Sequence, residues 1–212
     1  MALKKHDFIK LNYTAMIKSG PVFDTTDAAL AKKSGLGNGQ FGPQTVCLGE
    51  GFLLKGLEDK IIGKDKGKYT IELKAEEAFG KKDPKMMRLF PTNKFVEQKV
   101  MPEPGVVVEM DGRMGTIKTV TGGRTTVDFN HPLAGKDITY DIEILDTVTD
   151  MTEKVKSIVT HVMEASEHVE VKDDVAKVGL HHSIPPAIIE HFKKKIMDLS
   201  GIKDITFDVH KH

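Results

Sequence analysis

The side chains whose type and spacing could do chemistry gather in a few short runs. In Ile138-Thr139-Tyr140-Asp141-Ile142-Glu143-Ile144, the residues Ile138, Tyr140, Ile142 and Ile144 share one strand face, while Thr139, Asp141 and Glu143 share the other. One phenol therefore sits inside an otherwise aliphatic row. The run before it, Val127 to Lys136, sets a polar turn (Asn130, His131, Pro132) between two extended segments and leaves Leu133 and Ala134 to line a small apolar wall. Near the other end of the chain, Leu11, Tyr13, Ala15 and Ile17 alternate onto one face. Ser19-Gly20 turns the chain, and Val22-Phe23-Asp24-Thr25-Thr26 follows. This set offers hydrogen bonds inside an apolar surround rather than covalent chemistry.

Other chemistries find little support. Cys47, the single cysteine, stands in the apolar run Thr45 to Leu48 and reads as buried filler. It excludes an internal disulfide and fits a reducing compartment. His181-His182 and the alternating His210 and His212 do not make a convincing ligand set, so no metal is expected. No glycine-rich phosphate loop of the required spacing occurs. Acids and bases number 31 each, which argues against a nucleic-acid partner. No run approaches roughly 18 consecutive apolar residues, and the start runs into a strand without a long apolar signal core, so a cytoplasmic protein without membrane contact is expected.

The elements that must position these side chains fall into three parts over 212 residues. Residues 1–84 read as mostly β, with Tyr69, Ile71, Leu73 and Ala75 alternating in a further strand. Between the strands, Leu53, Leu54, Leu57 and Ile61 fall at helical spacing, and Gly63 is a plausible stop. Asp27 to Lys33 makes another helical turn, ended by Gly35. Residues 85–126 change character. Pro84, Pro91, Pro102 and Pro104 mark turns, and Asp111-Gly112 and Gly122-Gly123 give hairpin signals in a small β-rich insert. Five of the ten methionines (Met86, Met87, Met101, Met110, Met114) lie there with Leu89, Phe90, Phe95 and Val96. A flexible, Met-rich surface accommodates many apolar shapes. The same residues also serve as the core that a ~40-residue unit needs. Residues 150–212 read helix, strand, strand, helix, strand. Ser183 offers the N-cap of the second helix, Pro185 and Pro186 suit its first turn, and Gly201 is its stop.

The run from Val127 to Ile144 closely resembles the segment entering the last strand of FKBP-type peptidyl-prolyl isomerases, in particular the SlyD-like branch. Tyr13-Thr14, the Ser19-Gly20 turn and Phe23-Asp24-Thr25 resemble the family's first strands. Leu48 to Glu58 looks like its pocket-floor loop and short helix, and Ala78-Phe79-Gly80 occupies the place of its Ala-Tyr-Gly. The resemblance implies an α+β fold: an FKBP half-barrel, an antiparallel sheet wrapped on a short helix, built from residues 1–84 and 127–149. It also implies a small β-rich inserted chaperone domain at 85–126 and an α/β C-terminal domain at 150–212, as in the long archaeal members. Residues of catalytic importance would be Tyr13, Asp24, Phe79 and Tyr140. Phe23, Leu53, Leu54, Leu57, Leu133 and His131 would bind substrate, and Met86, Met87, Leu89, Phe90, Phe95 and Met101 would form the chaperone surface.

Rotating an X-Pro bond requires losing amide resonance, a barrier of ~18–20 kcal/mol. No covalent bond is made or broken, so the reaction needs no cofactor, nucleophile or metal. It needs a water-poor apolar pocket for the prolyl ring and a few fixed dipoles that hold the rotated carbonyl better than the planar one. Two departures from the family pattern stand out. Leu57 stands where many members have tryptophan, and Phe79 replaces the usual tyrosine. The implied partners are unfolded or partly folded polypeptides containing X-Pro bonds. Two functions follow: an isomerase that also acts as a chaperone, or a holdase that kept the fold with weak or no isomerase activity. The two amphipathic helices after residue 150 carry more apolar face than so small a sheet covers, so a homodimer through this domain is expected, the alternative being packing against the isomerase domain of the same chain.

Overall fold

The two alternating runs that hold Tyr13 and Tyr140 pair with each other at the centre of one sheet. The computed structural model describes residues 2–37, 39, 41–163, 168–180 and 184–209. Its architecture is mixed α/β and dominated by antiparallel sheets. Contacts divide the chain into two compact units, Met1–Leu73 with Ile138–His212, and Lys74–Asp137.

In the first unit, β1 (Phe8–Ile17) pairs antiparallel with β9 (Ile138–Thr147) along its whole length. Its other edge is shared by β2 (Val22–Thr25) and β3 (Gln44–Cys47), and β4 (Gly67–Leu73) pairs with the far edge of β9. The period-2 pattern is realised as written: Ile138, Tyr140, Ile142 and Ile144 are buried. Helix α1 (Ala28–Lys33) starts at Asp27, whose carboxylate accepts from the backbone N–H groups of Ala29 and Leu30. Helix α2 (Lys55–Ile61) lies against β4 and turns Leu57 and Ile61 inward, both fully buried. Burying each is worth about 1.5–3 kcal/mol.

The elements after residue 150 follow the expected order: α4 (Met151–Met163), β10 (Val169–Lys172), β11 (Val175–Leu180), α5 (Pro186–Ser200) and β12 (Asp204–Val209). β10 and β11 form a hairpin through Asp173 and Asp174. β11 and β12 are parallel, which requires the crossover that α5 supplies. Gly201 ends α5 in the left-handed conformation. Ser183, the expected N-cap, lies outside the described residues, as do His181, His182, His210 and His212; Pro185 occupies the cap position. These elements share their core with the sheet. Val155, Ile158 and Val159 of α4, Ile196 of α5 and Ile205 of β12 pack in one cluster with Phe8, Cys47 and Val148. The apolar face of α4, which argued for a second copy of the chain, is therefore covered within one chain.

The second unit is a four-stranded antiparallel sheet in the order β5 (Met87–Pro91), β8 (Arg124–Asp128), β7 (Arg113–Thr121), β6 (Val107–Met110), with a short helix α3 (Asn93–Glu97). Both hairpin signals are realised by two residues with positive φ, Asp111-Gly112 between β6 and β7 and Gly122-Gly123 between β7 and β8. Two parts of the sequence reading differ. Pro91 does not mark a turn before a strand; it ends β5, an edge strand, where a missing N–H is tolerated. Val127 and Asp128, expected to resume the first domain, complete β8 in this sheet. Phe90, Phe95, Val108, Met110, Ile117 and Val127 form the core of this unit, with Phe90 and Phe95 edge to face.

Asp128 is 5% exposed and ties the base of this unit together. Its carboxylate accepts from Lys82 Nζ (2.8 Å) and from the side-chain and backbone N–H groups of Asn130 (2.7 and 3.0 Å). Burial pushes its pKa up, but the bonds from Lys82 and Asn130 outweigh burial and bring it down to about 2. A depressed carboxylate stabilises the fold above its unfolded value of roughly 3.9, and that stability is lost as pH falls toward 2. Amide exchange in β7 and β8 is therefore expected to accelerate on acidification from pH 4 to pH 2. Asp128→Asn should remove most of that dependence and, discounted for the exposed lysine, cost about 1 kcal/mol at neutral pH.

Candidate active site

Strand pairing brings the first group of expected residues together. On β1 and β9, Tyr13 is opposite Ile142 and Ala15 opposite Tyr140, so the two phenols are diagonal neighbours, with ring centroids 6.0 Å apart and planes tilted by 52°. β2 brings Asp24 beside them, and Tyr13 Oη donates to Asp24 Oδ2 at 2.7 Å. This is a charge-assisted bond that fixes the Tyr13 ring. Tyr140 is 6% exposed, yet among the described residues no hydrogen bond reaches its hydroxyl. Burial first, and Asp24 second, push its pKa up to about 12. The Tyr13 phenol is raised further, by burial and then by the bond to Asp24. Both groups are thus neutral donors at any physiological pH.

Leu53 and Leu54, half-buried, lie on the loop that leads into α2, and Phe23 is half-buried on β2. Leu57 corrects the sequence reading: it has no exposed surface, because the inward stripe of α2 points into the core, so it supports the loop from beneath instead of touching substrate. Sequence reasoning missed Glu58. This glutamate is 3% exposed, and its carboxylate accepts from the backbone N–H of Gly51 (3.3 Å) and of Leu53 (3.2 Å). An acidic residue in the first turn of a helix, just after a glycine-bearing loop, is the signal that could have found it. Thr26 was missed as well; its hydroxyl accepts from the Tyr13 N–H at 2.9 Å and registers β2 on β1.

The second unit carries Phe79, His131 and Leu133. Phe79 and His131 stack with centroids 4.6 Å apart and planes 2° from parallel, and His131 Nδ1 accepts from the Leu133 N–H at 3.1 Å. Here the expected turn role of His131 acquires a partner on each side. A cleft of about 590 Å³ is lined by Asn12, Thr14, Thr70, Asp141 and Glu143 of the polar strand face together with Tyr13, Tyr69 and Ile142.

A Pseudomonas fluorescens protein named a probable FKBP-type 16 kDa peptidyl-prolyl cis-trans isomerase is 32% identical over 143 residues, which cover 65% of this chain and 87% of that protein. The chain belongs to the FKBP-type peptidyl-prolyl cis-trans isomerases. A short-type peptidyl-prolyl cis-trans isomerase of Methanocaldococcus jannaschii is 29% identical over 147 residues, 68% of this chain and 93% of its own length. A SlyD isomerase of Aeromonas hydrophila is 30% identical over 141 residues, 65% of this chain and 61% of its own. The family model described as FKBP26, IF domain matches residues 88–133. The protein is thus a SlyD-like FKBP-type isomerase.

Tyr13, Asp24 and Tyr140 thus meet on one sheet, with Phe23 on β2 and with Leu53 and Leu54 on the loop before α2. In the second unit, Met87, Leu89 and Met101 are exposed and Met86 is half-buried. Phe90 and Phe95 are corrections to the expected chaperone surface. They point into the core of this FKBP-type insert, at 9% and 0% exposure, because a unit of this size spends its rings on its own interior. Val96, Val107 and Met114 are all more than half exposed; Val96 and Met114 belong to the Met-rich run, and Val107 is the surface residue the sequence reading did not place there. Among the described residues, no helix is long and apolar enough to cross a membrane.

Proposed function

We propose that this isomerase acts on X-Pro bonds of unfolded or partly folded polypeptides and retains those clients on the exposed apolar residues of its second unit. The observation that carries the catalytic part is the buried Tyr140 side chain, whose hydroxyl no hydrogen bond reaches among the described residues, set beside the Tyr13–Asp24 pair. An unsatisfied buried hydroxyl costs free energy, and a substrate carbonyl recovers it. In this reading Tyr140 donates to the carbonyl as the amide twists, Asp24 holds Tyr13, and Phe23, Leu53 and Leu54 offer apolar surface to the prolyl ring. On the family resemblance alone, Phe79 takes a catalytic role and His131 and Leu133 a substrate-binding role. The half-barrel at 1–84 and 129–149, the insert at 85–128 and the C-terminal domain at 150–212 are the corresponding division of labour.

The retention part is supported by Met87, Leu89, Val96, Met101, Val107 and Met114, six large apolar side chains exposed on a unit with only a small core. A proline-limited refolding assay tests both parts against the holdase alternative. The slow phase accelerates at catalytic ratios of enzyme to client for an isomerase, whereas a holdase acts only near stoichiometry. With one buried cysteine, the protein suits a reducing, cytoplasmic setting. Self-association through residues 150–212 retains one support, Ile188 of α5, which stays 45% exposed. If that face forms the dimer, sedimentation of the full chain at micromolar concentration gives twice the monomer mass and Ile188→Glu returns it to the monomer; a monomeric parent chain removes this part.

A further inference from the structure

The loop that carries Leu53 and Leu54 is held from outside its own sequence. Gly49 and Gly51 both adopt left-handed conformations, φ 82° and 79°, so the loop has weak local preference for the shape it takes. Three contacts fix it. Glu58 accepts from the N–H groups of Gly51 and Leu53. Glu50 lies 3.2 Å from His6 Nδ1 and 3.8 Å from Lys195 Nζ on α5. The Phe52 ring stacks on His161 of α4, with centroids 4.0 Å apart and planes within 15°. Two of these three come from the helices after residue 150.

We propose that His161 is a positioning residue for the isomerase reaction: stacked on Phe52, it fixes the Gly49–Leu54 loop and with it the apolar wall that Leu53 and Leu54 present to the prolyl ring. This rests on the reading that these two leucines line the site. The platform is rigid, since Val155, Ile158 and Val159 of the same helix are buried against Phe8 and Cys47. Partial burial first, and Lys195 second, lower the pKa of the imidazole against the pull of Glu58. Small displacements of a positioning wall carry large rate penalties, and the C-terminal helices thereby become part of the enzyme instead of an appendage.

The test uses the full chain and an X-Pro tetrapeptide, comparing His161→Ala, His161→Phe, Phe52→Ala and the double alanine variant. His161→Ala is expected to lower kcat/KM roughly 3–10-fold, the scale of one aromatic pair, with the loss mainly in KM. His161→Phe, which restores a ring, should return it to within about twofold, and the double variant should be no worse than the poorer single one. Wild-type kcat/KM in folded His161→Ala, or equal losses in the alanine and phenylalanine variants, overturns the coupling. Leu53→Ala separates the two layers. A loss there with normal His161→Ala sinks the coupling alone, while no effect of Leu53→Ala sinks the pocket reading and this proposal with it.

Discussion

Excising Met87–Asp128 and joining Met86 to Phe129 through a short Asn-Gly link is expected to leave turnover of an X-Pro tetrapeptide within about threefold, while catalysis of proline-limited protein refolding falls by about 100-fold or more. The gap can be closed without strain, because the Phe129 N–H already donates to the Met86 carbonyl at 2.9 Å. Below the cut, Asp83 and Asn130 keep their reciprocal bonds, the Asp83 N–H to Asn130 Oδ1 at 2.8 Å and Asn130 Nδ2 to the Asp83 carbonyl at 3.0 Å. Phe129 loses the Phe90 ring it packs on and is best changed to serine in the same variant. The asymmetry follows from effective concentration. A short peptide gains nothing from a second apolar surface, whereas an unfolded chain held by Met87, Leu89 and Met101 presents its prolines at a far higher local level. Shortened and full-length proteins that refold the client equally well would show that the insert does not retain it.

The long alternating strands were legible because both faces of β1, β4 and β9 differ sharply in polarity, and the hairpins because Asp111-Gly112 and Gly122-Gly123 supply residues that accept positive φ. The order after residue 150 followed from the same periodicities. β5 and α3 were not legible: five residues ending in proline, with Leu89 exposed and Phe90 buried, carry too little pattern to separate strand from turn. The sides of Phe90 and Phe95 depend on which sheet β8 joins, and Arg124-Thr125-Thr126 gives no apolar signal of that pairing. At the site, the faces that carry Tyr13 and Tyr140 could be read from strand parity, whereas Asp24 entered through the family resemblance. Glu58 was marked only as an acidic residue in a first turn; that its carboxylate leaves the helix surface to satisfy backbone N–H groups is a tertiary choice that no spacing encodes. The cover of α4 by Phe8 and Cys47 was hidden for the same reason, with more than a hundred residues between the partners.

Asp24→Ala and Tyr140→Phe should each lower kcat/KM while leaving the protein folded, and the second should separate catalysis from packing. Losing the carboxylate frees the Tyr13 ring from a charge-assisted bond worth about 1.5–3 kcal/mol, so a drop of roughly 10-fold or more is expected. Tyr140→Ala would cost about 3–5 kcal/mol through a cavity and confuse the two roles. Tyr140→Phe keeps the ring in its buried place and deletes only a hydroxyl that no hydrogen bond reaches among the described residues. Turnover should then fall roughly 3–10-fold, the worth of one neutral hydrogen bond, while the melting temperature holds or rises because an unsatisfied polar group has left the interior. With the Tyr140 phenol raised to about 12, activity should also stay level from pH 6 to pH 9, as neither tyrosine loses its proton in that window. If Tyr140→Phe retained full turnover, the hydroxyl would have no part in catalysis and the ring would be core alone.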